Sequence, residues 1–368
     1  MKRIGIECES IEGKNPIWGV GKLIMGLLEE ISQRPDLEKD FRFVLYFKDN
    51  IPNSSFLNAS IFEKKIVPVP IFRHRLFPIY YFVLLPVKLW FERLDWMFWP
   101  NYMLPIIAFN KSIVMLTEDI YYETHEGKLP FRYRLAYGIF GWWTAKFATK
   151  ILAISETSKK NIAKLYGIKS ERIFVNYLGV DINQNPKSKI QNYLLYVGQM
   201  FPRRYARETM LAFEKLAGDF LDLKFVMIGP DKYEKPIINS LVLEINNRLG
   251  REAVLHKDYV EDSELVGLYI GAKALVYISD REAFGLPPME ALSFGVPSVI
   301  TDNELGHELF GDFAFYSKNG ESDEIVEAIR QALTDQKKVA KIRSEGPEFV
   351  KKYSWKSFAN GFINGVEL

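Results

Sequence analysis

The strongest constraint on what this chain can fold into is the order of its elements. Short apolar runs alternate with amphipathic stretches of helical period along nearly its whole length. Residues 3–8 (RIGIEC), 42–47 (RFVLYF), 112–117 (SIVMLT) and 150–155 (KILAIS) read as strands, with helices at 19–32, near 77–94 and near 131–148. The run SETSKKNIAKLYG then reads as a helix capped by Ser155 and ended by Gly167. Strand, helix, strand in this order predicts a parallel sheet covered on both faces. A polar stretch at 177–192 (YLGVDINQNPKSKIQN) reads as a linker. A second alternation follows, with strands at 193–198, 223–229, 253–260, 274–279 and 297–301 and helices at 206–217, 236–249, 262–271, 288–294 and 322–334. The expected fold is α/β: two doubly wound Rossmann-like domains, residues 1–180 and 181–350, facing across a cleft. Residues 351–368 form a terminal helix free to cross back to the first domain.

A length of 368 residues suits two domains of ordinary size. The net charge of +2 gives no support to a nucleic-acid partner. Cys8 is the only cysteine, which excludes an intrachain disulfide and a multi-cysteine zinc site and fits a reducing, cytoplasmic setting. MKRIGIECES reads as a first strand and not a signal peptide, because glutamates interrupt a short apolar stretch. Aromatic residues make up 14% of the chain and crowd its first half. The segment FPIYYFVLLPVKLWF (77–91) is too short to span a bilayer and reads first as a buried helix. Arg73, Arg75, Lys88 and Arg93 bracket it, Trp90, Trp96 and Trp99 lie close by, and FRYRLAYGIFGWWTAKF (131–147) repeats the composition. The alternative reading is therefore peripheral contact with the inner face of a membrane through the first domain.

The second-domain strands end in loops of special composition, where a doubly wound sheet meets its ligand. Gly198 leads into QMFPRRYARE with Arg203 and Arg204, another strand ends at Gly229-Pro230-Asp231, and a third at Val260. The fourth ends in DREAFGLPPMEALSFGVPSVI (280–300), where Gly285 permits close backbone approach and Pro287 or Pro288 suits the first turn of a helix. Such a helix start is an anion site. Glu290 falls in its first turn or just after, suited to accept hydrogen bonds from ribose hydroxyls, while Glu282 sits on the preceding loop. Taken alone, the two glutamates also fit a helix-dipole carboxylate and a loop charge; the arginine pair tips the balance, since guanidinium forks suit a diphosphate.

Glu282-AFGLPPM-Glu290 resembles the E-x7-E motif of the retaining glycosyltransferases of family 4, which have the GT-B fold, and ALSFGVPSVI is similar to the stretch that follows it there. Residues 19–31, 154–162, 176–181, VGQMFPRR, 260–279 and YSWKSFA (353–359) resemble further family segments in order. The resemblance implies a metal-independent transfer of a hexose-type sugar, with retention, from a nucleoside-diphosphate donor to a glycan or lipid-linked glycan. It implies Glu282 beside the sugar and Glu290 on the ribose. Backbone N–H groups of Phe284, Gly285 and Leu286 would meet sugar or diphosphate, Arg203 and Arg204 would clamp phosphate, and Gly19 and Gly21 would line the donor site from the first domain. The family's histidine after a first-domain strand is replaced by Glu118, with His125 as an alternative occupant; His74, His256 and His307 read as ordinary polar residues. No cofactor is expected: a D-x-D motif is absent from the sequence, and fixed positive charge would take the metal's place. A dinucleotide fingerprint fails at 19–24, where G-x-G lacks its third glycine. A sugar-nucleotide epimerase, a glycoside hydrolase and a non-catalytic sugar-nucleotide-binding subunit are the rival readings.

Overall fold

The computed structural model describes residues 1–13, 19–68, 77–108, 110–125, 130–181 and 190–367. Arg73, His74, Arg75, residues 14–18 of the first glycine loop and residues 182–189 of the 177–192 linker lie outside the described residues. The chain divides into two compact units, Met1–Gly179 with Trp355–Leu368, and Val180–Ser354.

In the first unit, β1 (Lys2–Glu7), β2 (Phe41–Phe47), β3 (Phe62–Ile66), β4 (Trp96–Trp99), β5 (Lys111–Met115), β6 (Lys150–Ala153) and β7 (Ile173–Val175) form a parallel sheet in the order β3-β2-β1-β4-β5-β6-β7. In the second, β8 (Tyr193–Val197), β9 (Lys224–Ile228), β10 (Val254–Lys257), β11 (Ala274–Tyr277), β12 (Ser298–Thr301) and β13 (Ala314–Ser317) are ordered β10-β9-β8-β11-β12-β13, again all parallel. Each order turns back on its first strand, the doubly wound pattern that puts ligands beyond the carboxyl ends of the central strands. Central strands such as β8 (YLLYV) and β11 (ALVY) are buried along their whole length, as helices on both faces require.

Local signals act as expected at both ends of one helix. Ser155 Oγ accepts from Ser158 N at 2.9 Å at the start of helix Glu156–Tyr166, and Gly167 closes it at φ +65°. Four strands escape the sequence reading. β4 (WMFW) sits between β1 and β5, its aromatic run merging with the aromatic segment before it. β3 (FEKKI) is an edge strand, and edges carry charge. β7 and β13 are short edge strands of three and four residues.

The buried-helix reading of 77–94 needs correction. Phe77–Ile79, Tyr80–Leu84 and Leu85–Trp90 run on as one helix with a π-helical middle. Tyr80, Tyr81, Leu85 and Leu89 are buried, but Ile79, Val83, Val87, Trp90 and Phe91 are exposed.

The last helix, Trp355–Glu367, packs on the first unit through glycine notches. Trp355 fills the space a Cβ would need at both Gly26 and Gly179, and Gly365 lies against Phe174. At Gly179 an added Cβ would stand 2.4 Å from the Trp355 backbone nitrogen, which has no rotamer to escape by. Gly179→Ala is therefore expected to lower stability by about 2 kcal/mol, as overpacking does, read as a fall in the midpoint of thermal unfolding.

Candidate active site

The chemistry gathers at the carboxyl end of the second sheet. Where β8 ends, Gly198 takes φ +137°, and where β9 ends, Gly229 takes φ +134°. The two loops press together, since a Cβ on Gly229 would lie 2.1 Å from Gly198 O. Packing thus requires glycine at 229, and the positive φ favours it at both positions. The neighbouring Asp231 carboxylate is engaged at home, accepting from the N–H groups of Tyr233 (2.9 Å), Ile237 (2.7 Å) and Ile238 (2.9 Å) at the head of helix Ile238–Leu249. His256 bonds Gly229 O at 2.8 Å and Asn239 Oδ1 at 2.7 Å, supporting the same loop, and His307 pairs with Asp302 at 2.6 Å. Val260 is buried after β10.

The β8 loop brings Arg203 and Arg204 to Glu282. Arg204 Nε and Nη2 meet the two Glu282 oxygens at 2.7 and 3.2 Å, a fork matched to a carboxylate. Arg203 Nη1 holds the same carboxylate more loosely, at 3.5 Å, and donates to Arg281 O at 2.6 Å. Tyr277 OH and Ser279 Oγ, at the end of β11, donate to Glu282 at 3.1 and 3.2 Å. Burial pushes the Tyr277 phenol well up, with the charge of Glu282 adding to it, so it stays protonated and donates. Burial by itself works against the Arg204 charge, but the Glu282 carboxylate beside it helps raise its pKa overall. Sequence reasoning found both arginines and Glu282, yet missed Tyr277 and Ser279. The one signal for them was two hydroxyls in the otherwise aliphatic strand ALVYIS.

Tyr205 follows the arginines with φ +42°, a left-handed backbone that costs a side-chain-bearing residue energy. Its ring packs where Gly320 leaves room, and its hydroxyl bonds Asp280, tying the arginine loop to the Glu282 loop.

Beyond Glu282 the backbone turns at Gly285, φ +86°, and starts helix Leu286–Ser293 with prolines in its first turn. The Phe284 ring is buried edge-on against Tyr353, at 5.9 Å and 87°, so this loop offers a ligand backbone and not side chain at that position. A cavity of about 40 Å³, room for one or two waters, lies among Tyr277, Glu282, Phe284, Gly285 and Asn303. Glu290, in the second turn, accepts from Tyr269 OH at 2.8 Å; burial, then the Glu290 charge, pushes that phenol well up and keeps it a donor. Among the described residues no group of three or more His, Cys, Asp or Glu side chains comes together as a metal site would require.

Gly19, Gly21 and Glu118 belong to the first unit. Gly19 caps helix Val20–Ser32 at φ +50°, and Gly21 is buried in its first turn. Glu118 is turned inward: its buried carboxylate bonds Ser158 Oγ and Asn161 Nδ2 (3.1 Å) on helix Glu156–Tyr166. The carboxylate thus ties the turn before helix Asp119–His125 to helix Glu156–Tyr166. The His125 ring stacks on Tyr121 at 3.9 Å and bonds Tyr121 O at 2.8 Å.

Fold and site together define a class. Two parallel-sheet units, one carrying an arginine-clamped carboxylate beside a glycine-led helix start, have the two-domain Rossmann-like GT-B fold of the solved glycosyltransferase structures they resemble. Comparison with known proteins gives the class its content. Residues 180–349 match the family model described as Glycosyl transferases group 1. The O-antigen chain mannosyltransferase B of Escherichia coli is 29% identical over 235 residues, 60% of this chain and 61% of that protein. The O-antigen chain mannosyltransferase RfbU of Salmonella typhimurium is 29% identical over 219 residues, 59% of this chain and 58% of that protein. The matches thus span about three-fifths of these curated relatives. Among solved structures, WaaG, described as a glycosyltransferase involved in lipopolysaccharide biosynthesis, aligns over 99% of this chain and 98% of its own at TM-score 0.70 and 18% identity. Anabaena Alr3699/HepE, solved with UDP and glucose, aligns over 100% and 99% at TM-score 0.73 and 16% identity.

Proposed function

We propose that this protein is a retaining, metal-independent glycosyltransferase that moves a hexose from a nucleoside-diphosphate donor to a glycan or lipid-linked glycan. The observation that carries the reading is the cluster Arg203–Arg204–Glu282 beside the helix start at Gly285–Leu286, inside the segment that matches the group 1 family model. In this reading the diphosphate takes the helix start and draws Arg203 from its loose contact with Glu282, while Arg204 keeps that carboxylate aimed at the sugar. Glu290, oriented by Tyr269, receives the ribose hydroxyls. Charge building on the leaving diphosphate is met by fixed donors, each worth roughly 3–4 kcal/mol when preorganised. The names of the curated relatives favour mannose as the hexose and a bacterial surface polysaccharide as the product.

Thermal unfolding in EDTA with UDP, GDP, dTDP or ADP tests the donor site. One nucleotide at about 100 times its dissociation constant is expected to stabilise the wild type by roughly 2.7 kcal/mol. Glu290→Ala is expected to lose most of that shift. A panel without any shift removes the reading, and a shift that survives Glu290→Ala removes the ribose role. With the donor base known, NMR of the anomeric proton in the product tests retention.

A further inference from the structure

Helix Phe131–Phe147 is built the wrong way round for a protein core. The residues it buries are small, Gly141, Thr144 and Ala145, while Phe131, Tyr133, Leu135, Ile139, Trp142 and Phe147 face outward. Phe131 is 79% exposed and Trp142 54%. Phe131, Leu135, Ile139 and Trp142 recur at helical spacing along one stripe and line a groove of about 610 Å³ with Arg134. The 77–90 helix continues the surface: its Phe82 ring stacks on Phe140 at 4.3 Å, and it exposes Trp90 (67%) with Phe91 (81%) just after it. Exposed apolar surface on this scale marks an interaction site.

Charge decides the partner. Residues 130–147 and 77–91 contain no aspartate or glutamate, but they carry Arg132, Arg134, Lys146 and Lys88. The adjoining Glu92 is largely buried and pairs with Lys65 at 2.6 Å and Lys88 at 3.7 Å. Lys146 lies over the Trp142 ring at 4.8 Å and Arg132 over Tyr133 at 4.8 Å, so cations and aromatic rings share the same outer surface. Among the described residues no helix is long and apolar enough to cross a membrane. We infer that these two helices form an in-plane docking surface for an anionic phospholipid bilayer, with the aromatic stripe entering the headgroup boundary and the basic residues meeting lipid phosphates. The inference stands on the first unit alone and is independent of the donor-site reading.

Co-sedimentation of the full chain with phosphatidylcholine vesicles, with and without phosphatidylglycerol, tests it. Binding is expected with phosphatidylglycerol at low salt and is expected to weaken as salt rises. Arg132→Gln and Lys146→Gln should each lower the partition coefficient about fivefold. The triple change Trp90→Ser, Phe91→Ser, Trp142→Ser should lower it by at least about tenfold, with unfolding midpoints kept near wild type because all three residues are exposed. Absence of vesicle binding by the wild type overturns the inference, as does binding that both sets of changes leave intact. So does a concentration-dependent dimer that the triple change dissociates while vesicle binding stays absent, since the face would then belong to a second copy.

Discussion

Arg204→Met is expected to cost about 3 kcal/mol of stability and to abolish nucleotide-dependent stabilisation. The reason is what it leaves behind. Glu282 is largely buried, and its matched fork comes from Arg204 alone, whereas Arg203 holds it only at 3.5 Å. Removing one partner of a buried pair strands the other charge, which costs about 3–5 kcal/mol for a fully buried pair. Remaining contacts from Tyr277 and Ser279 place the expectation at the lower end. Arg203→Met should behave differently: nearly unchanged unfolding, but weaker nucleotide binding. Pairing Arg204→Met with Glu282→Leu should recover much of the lost stability without recovering nucleotide binding, and a double-mutant cycle measures the coupling. Equal stability losses in Arg203→Met and Arg204→Met would contradict the division of labour drawn from the geometry.

The second large effect concerns Glu7, which sequence reasoning passed over as part of β1. It ends that strand fully buried, accepting from Glu9 N at 2.9 Å, Asn101 Nδ2 at 2.9 Å and Tyr80 OH at 3.4 Å. Burial, with smaller contributions from the nearby charges of Glu9 and Glu12, raises its pKa to about 8. The folded state then binds a proton that the unfolded state releases near its ordinary value of 4.5. Stability from this group is fully present below that value, falls by about 1.4 kcal/mol per pH unit above it, and is gone once pH passes the folded pKa. Glu12, whose pKa burial also raises, slopes the same way. Glu7→Gln keeps a neutral hydrogen-bonding group of the same shape. It should leave stability at pH 5 almost unchanged and raise it at pH 9 by on the order of several kcal/mol. Denaturant unfolding at the two pH values decides the matter, and equal effects at both would show that Glu7 does not titrate across this range.

The two cases mark how far the sequence could be read. Arg203, Arg204 and Glu282 were legible because each follows a strand of the same sheet, and a parallel sheet collects the loops at its carboxyl ends. What Arg204 does was not legible, because a guanidinium that reads as a phosphate clamp already grips a carboxylate 78 residues along the chain. Glu118 shows the same limit: its position could be aligned, but its inward turn depends on Ser158 and Asn161 from a helix forty residues on. Glu7 was legible as a charge interrupting an apolar strand, but its burial was not, since burial on both sides of β1 is a property of the neighbours that cover it.

By itself, then, the sequence determined what short-range physics can write: the alternation that makes both sheets parallel, the Ser155 cap and Gly167 stop, and the glycine-led, proline-bearing start of helix Leu286–Ser293. Each depends on residues within a turn or two of one another, where period and backbone preference act alone. The tertiary structure decided the central place of β4, the seating of Trp355 between Gly26 and Gly179, the outward face of helix Phe131–Phe147 and the partners of the buried carboxylates Glu7 and Glu118. Those depend on groups far apart in the chain, and desolvation and packing have no value until the fold brings them together.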